Sequence, residues 1–144
     1  MGVILMANSN RWTSDLLPIV FTRLKNGLSK EFKTNYGLTD KSFSTVSNST
    51  SQPTFPFVYV KSIVPKEVMQ TISNDVISGI NFTIQIDVTT NTSQEDADNI
   101  AYELLQIMKQ MKFNTSSLPT FDNQNNEYRS TARYTRLIGA SDTL

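Results

Sequence analysis

The sequence predicts an α+β domain: a mainly antiparallel β-sheet packed on one face by two amphipathic helices. Three observations carry this. Ile80, Phe82, Ile84, Ile86 and Val88 alternate with Asn81, Thr83, Gln85 and Asp87, which is the pattern of a strand with one dry and one polar face. Past a polar turn at Thr89–Thr92 the period changes. Ile100, Ala101, Leu104, Leu105, Met108 and Met111 then recur at three- and four-residue spacing, the apolar stripe of a helix. A second such stripe (Leu16, Leu17, Val20, Leu24 and Leu28, joined by Phe21 and Phe32) lies near the start. Strands flanked by amphipathic helices bury both sets of apolar faces by packing helix on sheet. At 144 residues there is material for one core, and residues 1–144 are read as one domain.

Residues 1–12 read as peripheral, with Trp12 as an anchor ahead of the first helix. That helix is expected from Ser14, its cap, through Phe32, with Pro18 tolerated near its first turn and Gly27 weakening its interior. Tyr36–Thr39 closes the segment. Lys41–Gln52 is rich in Ser and Thr, and periodicity leaves strand and loop both open. Phe55–Val64 is β-branched and aromatic, a strand whose Pro56 suits a beginning or an edge. Its early part is apolar on both faces, which suggests cover on both sides. Pro65–Ser78 reads either as a helical turn or as the arm of a hairpin, the strand being favoured. The second helix carries its own punctuation. Ser93 stands at the N-cap with Asp96 three residues on, acids Glu95, Asp96 and Asp98 lie in the first turn, and Lys109 and Lys112 lie in the last. Lys112–Asn126 is read as a long polar loop with Leu118 and Phe121 tucked inward. Glu127–Ile138 alternates again, with Tyr128, Ala132 and Tyr134 on one face and Arg129, Thr131, Arg133 and Thr135 on the other. Arg136 and Leu137 invert that register, which predicts a bulge or the strand's end.

Composition excludes much chemistry. There is no cysteine, hence no disulfide framework, thiolate zinc site or cysteine nucleophile, and no histidine, the commonest general base and metal ligand. Thirteen basic residues balance thirteen acidic ones, which argues against a strongly basic nucleic-acid binder. No run approaches the roughly 20 apolar residues of a membrane helix, and Val3–Ala7 is too short and too uncharged at its flank for a signal peptide. Ser, Thr and Asn are abundant, so the Asn-x-Ser/Thr triplets at Asn48, Asn81, Asn91 and Asn114 read as products of composition.

Few constellations remain. Glu95, Asp96 and Asp98 could be drawn as a metal or acid–base cluster, but a solvated, dipole-compatible first turn accounts for them. Asp87 is a lone acid on a polar strand face. The five glycines form no phosphate loop, and no nucleophile elbow or dinucleotide fingerprint occurs. No enzyme, metal or cofactor is expected. Arg129, Arg133 and Arg136 form a basic run with three readings: a groove or channel facing nucleic acid, a solvated outer face, or arginines paired with acids of an adjacent subunit, Asp87 or the acidic helix start being the partners. Phe55, Phe57 and Tyr59, from the strand apolar on both faces, suggest a subunit interface. These three with Asp87, Arg129, Arg133 and Arg136 form the candidate interface or lumen set.

Taken in order, the early amphipathic helix, the F-P-F-V-Y-V strand, the passage Q-I-D-V-T-T-N-T-S-Q-E-D-A-D-N-I-A and the closing R-S-T-A-R-Y strand resemble tail terminators. Related tail-completion and neck proteins of long-tailed bacteriophages share this pattern. The matching positions are Gln85–Val88, Thr89–Ser93, Glu95–Ala101 and Arg129–Tyr134, within a resemblance of pattern over residues 14–138. It implies a non-enzymatic virion protein, assembled in the host cytoplasm. Six copies would form a ring that caps the tail tube, stops its growth and meets the neck proteins, with passing contact to genomic DNA in the lumen and none to a membrane. Ring closure fits strands suited to subunit contact. The alternatives are a neck connector or tail-tube-like subunit and, in another class, a small carboxylate-dependent hydrolase or nucleic-acid-binding module.

Overall fold

A computed structural model of the chain describes residues 12–45, 55–70, 77–124, 126–139, 141, 142 and 144. Three α-helices are α1 (Trp12–Gly27), α2 (Lys30–Tyr36) and α3 (Gln94–Gln110). Five strands are β1 (Phe43–Ser44), β2 (Phe57–Gln70), β3 (Ile77–Thr90), β4 (Asn114–Gln124) and β5 (Glu127–Gly139). They form one sheet in the order β1-β2-β3-β5-β4. The β1–β2 pair is parallel and the other three are antiparallel. The fold is α+β, as the alternating runs predict.

The β3–α3 unit follows its sequence closely. Ile80, Phe82, Ile84, Ile86 and Val88 are all buried, and so are Ile100, Ala101, Leu104, Leu105, Met108 and Met111 from the helix stripe. They share one core with Leu16, Val20, Leu24 and Leu28 of the α1 region and with Ala132, Tyr134 and Ile138 of β5. Ser93 is the N-cap of α3, its Oγ accepting from the Asp96 amide at 3.1 Å. The Asp96 carboxylate does not complete a capping box; it accepts from the Thr92 hydroxyl instead. At the other end the Phe113 amide reaches back to the Met108 carbonyl and the Lys112 amide to that of Lys109, with Lys112 left-handed at φ 67. This is a Schellman close, its apolar contact supplied by buried Phe113.

Several expectations are corrected. The first helix begins at Trp12, so Ser14 is inside it rather than its cap. It does not run to Phe32. It ends at Gly27, and Ser29 caps a new helix, accepting from the Phe32 amide. Gly27 lies where a Cβ would meet Ile107 at 2.9 Å, so the glycine permits α1 to approach α3 at the point where the chain turns. Gly37 (φ 70) closes α2 in the left-handed conformation. Within Lys41–Gln52, a 3-10 turn at Asp40–Ser42 leads into β1, and residues 46–52 are outside the described part. So are residues 1–11 and the side chain of Trp12. Pro65–Glu67 is not a helical turn; β2 continues to Gln70 with a register shift at Pro65, and residues 71–76 join it to β3.

The largest correction concerns Lys112–Asn126. It is no loop, because Asn114–Gln124 forms the edge strand β4. Leu118 and Phe121 are not tucked in; they are 61% and 67% exposed. Nor does β5 bulge or stop at Arg136, since its pairing with β3 runs without a shift from Tyr128 to Gly139.

Candidate functional site

One face of the sheet carries the helices. Among the described residues nothing covers the other. Strand alternation decides which side chains reach this open face, and the pairing registers arrange them in rows. One row reads Phe57, Thr89, Arg129, Asp122; the next, Tyr59, Asp87, Thr131, Thr120; the next, Lys61, Gln85, Arg133, Ser117. A fourth row, through Ile63, Thr83 and Thr135, is bridged by hydroxyls. Thr83 and Thr135 lie 3.2 Å apart, and Thr135 donates to Ser116 at 3.5 Å.

The centre of the face is a polar chain. The Arg133 Nε donates to the Gln85 Oε1 at 3.0 Å, and the Gln85 Nε2 donates to the Asp87 carboxylate at 3.1 Å. Gln85 is only 9% exposed although it sits on the solvent side of its strand. A guanidinium fixed through Nε keeps its two terminal nitrogens available for a carboxylate or phosphate, a geometry suited to bidentate capture. Arg129 and Arg133 are exposed and share the face two pleats apart, as the alternation predicts. Neither makes an ion pair inside the chain: among the described residues the only one joins Lys25 to Asp40 at 3.9 Å. Arg133 reaches Asp87 through Gln85, not directly.

Five of the seven residues singled out from sequence therefore meet on one face: Phe57, Tyr59, Asp87, Arg129 and Arg133. Two do not. Phe55 precedes β2 and, with Tyr36, Gly37, Pro56, Thr92 and Asp96, lines a cleft of about 230 Å³ beside the start of α3. Arg136 has the parity of Tyr134 and Ile138, so it faces the helix layer, opposite Phe82. There it donates to the Met111 carbonyl at 2.7 Å and so caps the C-terminus of α3.

Gln85, Lys61 and Ile63 complete the face; alternation puts Gln85 on the polar side of its strand, but the sequence singles out none of the three as a site residue. Lone polar or apolar residues on a strand show their partners only once register is known. Two of the acids at the start of α3 are locally engaged. Asp96 holds Thr92, and Asp98 accepts from the Gln94 Nε2 at 3.0 Å. Among the described residues no three acidic side chains converge as metal ligands would, and no helix is long and apolar enough to cross a membrane. Burial, with Tyr102 adding to it, pushes the Tyr134 phenol well above its usual range; this tyrosine belongs to the core and not to the open face.

Comparison with protein-family models gives no match, and comparison with curated protein sequences gives none.

Proposed function

We propose that this chain is a structural, non-enzymatic virion protein. Six copies form a ring that caps the tail tube of a long-tailed phage, ends tube growth and presents a surface to the neck of the head. The observation that carries the reading is the open sheet face. It gathers aromatic Phe57 and Tyr59, the Arg133–Gln85–Asp87 chain and Arg129 over strands that also hold the core on their other side. Aromatic and arginine side chains around a partly buried polar centre are the composition of protein–protein contact surfaces. The sequence pattern from Gln85 to Ala101 and the closing R-S-T-A-R-Y strand direct that contact toward tail completion. On this reading the ring's partners are its own copies, the tube protein and the neck proteins, with genomic DNA passing through the lumen.

Immunogold labelling of intact virions tests it. One cluster of label per particle at the head-proximal end of the tail is expected. Label distributed along the tube would make the chain a tube subunit, and unlabelled virions would remove it from the particle.

A further inference from the structure

The sheet has two ends, and they differ in a way that makes them complementary. At one end β4 has β5 on one side and, among the described residues, no strand on the other. At the opposite end β1 pairs with β2 only at Val58 and Tyr59, so among the described residues β2 beyond Tyr59 is also unpaired on its outer side. Unpaired strand edges are normally blunted by lysines, bulges or cover. Strand β4 has no lysine or arginine (NTSSLPTFDNQ), and it exposes Leu118 and Phe121 by 61% and 67%. Pro119 and two register shifts disturb its first half, but from Thr120 to Gln124 its pairing with β5 is regular. That leaves an edge that is regularly paired over Thr120–Gln124 and exposes Leu118 and Phe121.

The geometry points to a second copy of this chain as the strand that covers β4, through the open stretch of its β2. Three observations select this occupant. The antiparallel pairs β2–β3, β3–β5 and β5–β4 make β4 run opposite to β2. A neighbour's β2 laid beside β4 in a continued sheet is therefore antiparallel and keeps its helices on the same side. Asp122, opposite Arg129, and Lys61, opposite Gln85, both project onto the open face, so the junction brings an acid and a base to one side of the sheet. A β4–β4 contact between two copies offers Asp122 no base and leaves both β2 edges open. The β4–β2 contact uses a different patch on each copy, so it repeats, and a repeating contact closes into a ring when its rotation allows. The inference rests on the ring reading only in requiring more than two copies.

The absence of cysteine makes disulfide trapping clean. Protein carrying both Asp122→Cys and Lys61→Cys, oxidised at concentrations where it assembles, is expected to give a covalent ladder extending beyond the dimer. Each single-cysteine variant is expected to give at most background dimer. Adding Phe121→Lys to the double variant should abolish the ladder while circular dichroism and melting show an intact fold, because Phe121 is exposed in the monomer. Efficient dimers from Asp122→Cys alone would overturn the inference in favour of β4–β4 pairing. A double variant that forms no ladder, whether monomeric or assembled, would overturn it outright. A ladder from protein absent from virions would leave the edge contact standing and the tail reading refuted. Protein at the head–tail junction without a ladder would do the reverse.

Discussion

Replacing Arg136 with methionine removes one guanidinium from the helix-facing side of β5 and keeps most of the aliphatic volume in place. The Met111 carbonyl, at the C-cap of α3, is among the acceptors a helix end leaves without an intrahelical partner, and Arg136 donates to it at 2.7 Å from a half-buried position. A hydrogen bond to a charged group contributes about 1.5–3 kcal/mol, and a cation at a helix C-terminus adds roughly 0.3–1 kcal/mol. Partial exposure screens both, so Arg136→Met should cost ~2 kcal/mol. For a chain of this size that corresponds to a fall in melting temperature of roughly 4–8 °C. Urea unfolding followed by circular dichroism reads the loss directly, as a lower midpoint at unchanged slope. Arg136→Lys, which keeps the charge near the dipole but not the same reach, should fall between the two. A methionine variant within about 0.5 kcal/mol of the parent, the range of ordinary surface substitutions, would show that Arg136 does not cap α3.

Three further substitutions probe other parts of the account. Ser130 is fully buried and its hydroxyl has no hydrogen-bond partner among the described residues; Ser130→Ala should therefore raise stability by about 1 kcal/mol, measured in the same unfolding experiment. Lys112 holds φ 67 at the close of α3, a conformation glycine adopts without the Cβ penalty, so Lys112→Gly should stabilise by roughly 0.5–1 kcal/mol. Tyr134 has its phenol raised above 10.0 by burial, so its contribution is fully present below pH 10.0 and is lost as pH climbs toward the higher folded value. The slope is about 1.4 kcal/mol per pH unit. Tyr134→Phe should flatten the alkaline fall of stability between pH 10 and 11, and an unchanged pH profile would refute the assignment.

The elements that were legible in sequence are those whose two sides see different surroundings. In β3 one face meets helices and the other solvent, so Ile80–Val88 alternates. In α3 the buried stripe and the exposed arc separate cleanly, and Ser93 and the first-turn acids mark its start. Strand β4 lacks that contrast. As an edge strand with a proline and two register shifts it has no buried residue from Asn114 to Asn123, and its text reads as a loop. The one available signal was the Asn-Asn pair ahead of Glu127, a dipeptide that favours turns, and Asn126 takes φ 63. The break between α1 and α2 was hidden because Leu24, Leu28 and Phe32 keep helical spacing across it, while the close approach of Ile107 to Gly27 is tertiary. For the open face, parity alone placed Arg129, Arg133 and Asp87 on polar strand sides. Joining β2 to β3 and β5 into shared rows needed the register. Arg136 was misplaced for an instructive reason: an arginine at an inward position looks like a break in the pattern until the helix end that it caps is seen.

A nonsense mutation in the gene for this protein, with the lysate viewed by negative-stain electron microscopy, tests the central claim most directly. The account predicts overlong tubes without heads, because nothing would stop tube growth or join tail to neck. Intact, infectious particles with tails of normal length would contradict it.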